Sequence, residues 1–82
     1  MTVTTDETRE LVKASLSHLV PGDQVDELGT DTDLRQELEL DSLDYVEFVE
    51  RLSQASGVRI DEEDYPELRT IGTLTAFLAA RS

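Results

Sequence analysis

Residues 41–52 read Asp-Ser-Leu-Asp-Tyr-Val-Glu-Phe-Val-Glu-Arg-Leu, and their pattern continues to Gly57. At about 100° per residue this segment separates into two faces. Tyr45, Phe48, Val49, Leu52 and Ala55 share one arc, with Val46 at its edge, while Asp44, Glu47, Glu50, Arg51 and Gln54 share the other. An apolar arc at that period is the signature of an amphipathic helix. Gly57 supplies its stop, because many helices close on a left-handed residue and glycine adopts that conformation without strain.

The flanking segments are read outward from this helix. Before it, residues 21–41 carry Val25, Leu28, Leu34, Leu38 and Leu40 without a sustained period. They read as a long loop with one turn at Leu34 and Leu38, and ordered loops of that length are functional or tied down by their apolar residues. Further back, Leu11, Val12, Leu16, Leu19 and Val20 draw a helical stripe between Asp6 and Val20, capped by Thr5 or Asp6 and ended by Pro21-Gly22. Residues 1–5 read as a flexible tail.

After Gly57, Val58-Arg59-Ile60 is β-branched, but three residues with no second strand to pair with make an extended connector. Asp61 to Leu68 holds a short helical stretch interrupted by Pro66, and Thr70 opens a last helix with Ile71, Leu74, Phe77 and Leu78 facing inward. The predicted fold is all-α, a small four-helix bundle of three main helices and one short one, with a long loop between the first two. Residues 1–82 are expected to form a single domain, since nothing here divides into two cores.

Composition narrows the chemistry. Nineteen acids against seven bases give a net charge of −12, and the pI is near 4.1. A phosphate backbone or an anionic bilayer needs clustered Lys and Arg, so nucleic acid and membrane are excluded as direct partners and basic protein surfaces are favoured. Cysteine is absent and His18 is the single histidine, which removes thiolate chemistry, metal clusters and Ser/His/Asp catalysis. Asp31-Thr32-Asp33 fails as a calcium loop, because Gln36 stands where the sixth-position glycine belongs and Ser42 where the twelfth-position acid belongs. No apolar run reaches the length of a membrane helix, and Met1 to Thr5 does not open like a signal peptide; a cytoplasmic monomer is expected.

The run Leu38-Glu39-Leu40-Asp41-Ser42-Leu43-Asp44, at the head of an acidic amphipathic helix, resembles the phosphopantetheine attachment site of acyl carrier proteins. Leu34 and Leu38 match apolar positions eight and four before the family's serine, and Leu43 and Asp44 match the residues after it. Val46, Val49, Leu52, Ile60, Leu68 and Ile71 keep step without a gap, so the resemblance covers nearly the whole chain. It implies a discrete, non-catalytic acyl carrier. Ser42 would bear 4′-phosphopantetheine, supplied from coenzyme A by a phosphopantetheinyl transferase, and the terminal thiol would hold acyl groups as thioesters for fatty-acid, polyketide or related secondary-metabolite enzymes. A serine with no neighbouring base does not attack unaided, which agrees with modification by a partner.

Around Ser42, Glu37, Glu39, Asp41, Asp44, Glu47 and Glu50 are six acids with no base between them. Asp41, Leu43, Asp44, Glu47 and Glu50 are expected to recognise acyl-transferring or condensing enzymes through their basic patches. Leu43 is the ambiguous member, either folded beneath the preceding loop or an exposed apolar anchor ringed by acids. Val46, Leu68 and Ile71 are the expected acyl-chain pocket. Asp41 and Asp44 oppose the attraction of the helix start for a phosphate, so a tethered, unclamped phosphate and a swinging arm are expected. Asp61-Glu62-Glu63-Asp64 and Glu67 read as solvated surface. Glu39 and Glu50 depart from common family residues, glycine and an apolar contact respectively. An aminoacyl or peptidyl carrier is one alternative, and an unmodified acidic adaptor that occupies basic protein surfaces is another.

Overall fold

Thr4 caps the first helix, one residue before the predicted Thr5 or Asp6, because its hydroxyl accepts the Glu7 backbone N–H at 3.1 Å. The computed structural model describes residues 3–81. In chain order these form α1 (Thr5–Leu16), α2 (Gly22–Asp26), α3 (Leu34–Glu37), α4 (Ser42–Ser56), a 3₁₀ segment (Glu62–Glu67) and α5 (Ile71–Arg81). Of the expected flexible tail, residues 1–2 lie outside the described residues, while Val3 packs against the core and Thr5 is already helical.

The described residues are all-helical, a small bundle of three long helices as predicted, but the intervening loop holds two short helices instead of one turn. Its first helix, α2, has a single buried residue, Val25, so it carries no period to read. α1 also stops earlier than its apolar stripe implies. The Ser17 hydroxyl donates to the Ala14 carbonyl at 3.1 Å, a local bond that competes with helix continuation. Val20 is still buried through a turn in which its N–H donates to Leu16 O at 2.8 Å, but Leu19 is 43% exposed and leaves the expected stripe.

Arg9 fastens the long connection to α1 by donating to the carbonyls of Val25 at 2.9 Å and Leu28 at 2.7 Å. The far end is tied to the start of α5, with Leu34 N–H on Arg69 O at 2.7 Å and Gly72 N–H on Thr30 O at 2.9 Å. A Cβ on Gly72 would stand 3.2 Å from that Thr30 oxygen, so the approach favours glycine.

α4 is the spine. Tyr45, Phe48, Val49 and Leu52 face the core, joined by Leu16, Leu34, Leu68, Ile71, Leu74 and Leu78 from the surrounding segments. Ala55 is exposed, contrary to the wheel, and Val58, two residues beyond the end of the helix, is buried in the core. Gly57 ends α4 at φ +73°, its N–H on Ser53 O at 3.0 Å, and Val58 to Ile60 is a connector without regular secondary structure.

The 3₁₀ segment accommodates Pro66 within a single run. It is anchored by Tyr45, whose hydroxyl lies 2.5 Å from Tyr65 O and 2.9 Å from Leu68 O. Tyr45→Phe leaves both carbonyls without that donor and should cost about 1–2 kcal/mol in denaturant melts. Burial pushes the Tyr45 phenol above its ordinary value, with Arg69 and Arg35 pulling the other way. The unfolded chain therefore loses this proton first, and the stability tied to the protonated phenol, complete at neutral pH, falls as pH rises past about 10. Urea melts at pH 8 and pH 11 should show a difference between wild type and Tyr45→Phe that shrinks at the higher pH.

Candidate functional site

Two carboxylates decide what the head of α4 presents. Asp41 Oδ1 accepts the Asp44 N–H at 2.8 Å and is the N-cap, so Ser42 is the first helical residue with its hydroxyl exposed and released from capping. Upstream, Asp33 caps α3 through the Gln36 N–H at 3.1 Å and pairs with Arg69 at 2.8 Å.

Glu39 then turns the chain between α3 and α4. It has φ 53°, the left-handed conformation that glycine favours. The substitution that sets this chain apart from the common family residue thus keeps a glycine-like backbone. The turn is held by Leu40 N–H on Arg35 O at 2.9 Å and Glu39 N–H on Gln36 O at 3.3 Å.

The same turn brings Arg35 over the serine. Its Nη2 donates to Ser42 Oγ at 3.0 Å, its Nε to Leu40 O at 3.4 Å, and its guanidinium carbon lies 5.7 Å from the centroid of the Tyr45 ring. A guanidinium takes no proton, so this hydrogen bond positions the hydroxyl without activating it. Beside the serine a cleft of about 320 Å³ is lined by Arg35, Tyr45, Val46, Tyr65, Pro66 and Arg69. Burial and then the nearby Glu50, Glu62 and Asp61 raise the Tyr65 phenol, which stays protonated at neutral pH.

Of the expected pocket residues, Val46 lines this cleft and is 36% exposed. Leu68 and Ile71 do not line it; both are fully buried in the core and Leu68 O is bonded to the Tyr45 hydroxyl. The expected recognition residues divide more evenly. Leu43, Val46, Glu47 and Glu50 border one shallow groove with Arg51 and Gln54. Leu43 is 81% exposed, so it does not fold beneath the preceding loop. Asp41 caps the helix at the edge of this face, and Asp44 is half-buried. Glu47 Oε1 is shared between Arg51 at 3.0 Å and His18 at 3.2 Å, so the acidic face is partly neutralised at its centre.

In the second acidic cluster Glu62, Glu63 and Glu67 are exposed, as expected of solvated surface, while two of its members also have a structural role. Asp61 and Asp64 cap the 3₁₀ segment reciprocally, with Asp61 also on Arg59 at 3.1 Å. Sequence reasoning missed Arg35, Arg69, Tyr65 and the Tyr45 hydroxyl. One signal pointed to the first of them: Arg35 is the sole base between Lys13 and Arg51 in a strongly acidic stretch.

An exposed hydroxyl with no neighbouring general base thus stands at the head of the amphipathic α4, beside a small apolar cleft. A family profile described as "Phosphopantetheine attachment site" matches residues 11–78. An acyl carrier protein of Saccharopolyspora erythraea is 37% identical over 65 residues, covering 76% of this chain and 65% of that protein. One from Rhodococcus erythropolis is 31% identical over 74 residues, covering 87% of this chain and 81% of its own length. No solved structure matches. The chain belongs to the acyl carrier protein family, whose members are non-catalytic carriers with a phosphopantetheine attachment site. Among the described residues no helix is long and apolar enough to cross a membrane.

Proposed function

We propose that Ser42 is the attachment residue and that the protein presents acyl intermediates of fatty-acid, polyketide or related secondary-metabolite assembly to partner enzymes. The observation that carries this is the division of labour between Asp41, which caps α4, and Ser42, whose hydroxyl is left exposed. The residues fit the group: the hydroxyl faces an open cleft with apolar walls, and the nearest cation, Arg35, suits a phosphodiester. When bound, the arm supplies a terminal thiol that carries acyl groups as thioesters, a function this cysteine-free chain has no side chain for. Val46 with the faces of Tyr65 and Pro66 offers apolar contact near the attachment point. A longer acyl chain reaches Leu68 and Ile71 only by parting the 3₁₀ segment from α4.

Partners, in this reading, are a phosphopantetheinyl transferase and enzymes with basic docking patches, met by a cytoplasmic monomer. Leu43 is the apolar anchor, with Asp41, Asp44, Glu47 and Glu50 steering the approach. Leu43→Ala should lower transferase kcat/KM about tenfold, near 1.4 kcal/mol of transition-state binding. Its melting curve should stay within about 0.5 kcal/mol of wild type, since the side chain is exposed.

The deciding measurement is intact mass after incubation with coenzyme A, Mg²⁺ and a broad-specificity phosphopantetheinyl transferase. A gain of one phosphopantetheinyl group supports the carrier reading. No gain with several transferases, on protein shown to be folded, moves the assignment to an unmodified acidic adaptor.

A further inference from the structure

Among the described residues the ion pairs with carboxylates engage Lys13, Arg51, Arg59, Arg69 and Arg81, and Arg9 is committed to two carbonyls. Arg35 is in none of these pairs. In a chain with nineteen acids and seven bases, a guanidinium without a carboxylate is held back from the commonest partner available. It is directed instead at one hydroxyl, Ser42 Oγ at 3.0 Å.

The geometry points to Arg35 as a phosphate-holding residue, which takes the phosphodiester once Ser42 is modified and fixes the root of the arm at the mouth of the cleft. This rests on the assignment of Ser42 as the attachment residue. The non-bridging oxygens of a diester on Oγ are two bonds away from an atom Arg35 already reaches, so side-chain torsion suffices to meet them. Guanidinium and phosphate match in charge and in fork geometry, and such contacts are stronger than the neutral hydrogen bond they replace.

Several contacts hold Arg35 in place. Its Nε is on Leu40 O, its plane lies near the Tyr45 ring, and its own carbonyl accepts the Leu40 N–H across the Glu39 turn. Asp41 and Asp44, which oppose a phosphate at the start of α4, are therefore offset by a positive charge the linear sequence places seven residues away. The unclamped phosphate expected from the acids alone is replaced by one held at its root, and the swing of the arm begins beyond the phosphorus.

The test is ³¹P relaxation on the holo protein, whose modification is first verified by intact mass. In wild type the phosphorus should relax with the tumbling of the whole protein. In R35Q it should relax at least about twofold more slowly, as a locally mobile group does, with R35K between the two. The Arg35 Nε–H signal of wild type should also shift between apo and holo forms, a readout that needs no variant and survives a misfolded R35Q. Raising salt should mobilise the wild-type phosphorus toward the R35Q value. Equal ³¹P relaxation in wild type and folded R35Q, or an Arg35 signal that ignores modification, would overturn the proposal and leave the attachment itself standing. Absence of the mass gain would instead remove the reading beneath it.

Discussion

Ser42→Ala should abolish the phosphopantetheinyl mass gain completely while leaving the fold intact. The separation of these outcomes follows from the head of α4. Asp41, not Ser42, receives the Asp44 N–H, so no cap is lost. The one side-chain bond removed is the donation from Arg35, which stays tied to Leu40 O and remains within reach of water. Alanine is a good helix former at that first position, and the melting curve should stay within about 0.5 kcal/mol of wild type. Modification is all-or-none because a phosphodiester needs that oxygen. Intact mass and a thermal melt on the same sample check both halves, and a retained mass gain would move the attachment to another hydroxyl.

Phe48→Ala should have the opposite character, sparing every site residue and removing most of the stability. Phe48 is fully buried on the inner face of α4, its ring 6.3 Å from that of Tyr45 and tilted 53° to it. Truncating a buried phenylalanine costs about 3–5 kcal/mol, from lost transfer energy and the cavity left behind. A domain of this size buries a modest fraction of its surface and sits low in the usual range of about 5–15 kcal/mol. Each kcal/mol shifts Tm by roughly 4–8 °C in so short a chain, so a fall of at least about 12 °C is expected by circular dichroism. A fall of a few degrees would mean that the core closes around the gap or is centred elsewhere.

How much of this was legible in the sequence depended on element length. α4 and α5 are long enough for apolar residues to repeat on one face, so Phe48, Leu52, Leu74 and Leu78 were placed inward by spacing alone. α2 spans five residues with one buried side chain, and no periodicity exists to detect. Thr4, Thr5 and Asp6 are all competent caps, and the choice among them rests on which oxygen meets the Glu7 N–H, a matter of backbone angle.

The site divides along the same line. The exposed Ser42 is legible in the capping residue before it, whereas the wheel leaves Leu43 open and its 81% exposure decides the matter. Arg35 stands out in the sequence only as an isolated base, and its approach to Ser42 is hidden because it depends on Glu39 adopting a conformation that its residue type does not advertise. For Leu68 and Ile71, spacing shows that they are apolar, but not that both are fully buried away from the cleft lining with Leu68 O bonded to the Tyr45 hydroxyl.

The 3₁₀ segment gives the molecule an uneven resistance to opening. It buries no residue completely and meets α4 through Tyr65, whose carbonyl takes the Tyr45 hydroxyl and whose ring stands edge-on to that of Tyr45, whereas α4 and α5 each bury four side chains. The free energy needed to unfold it locally is therefore a small part of that needed to unfold the whole. Opening this seam leaves the bundle assembled, so the amide hydrogens of Glu62–Glu67 should exchange well before those of α4 and α5.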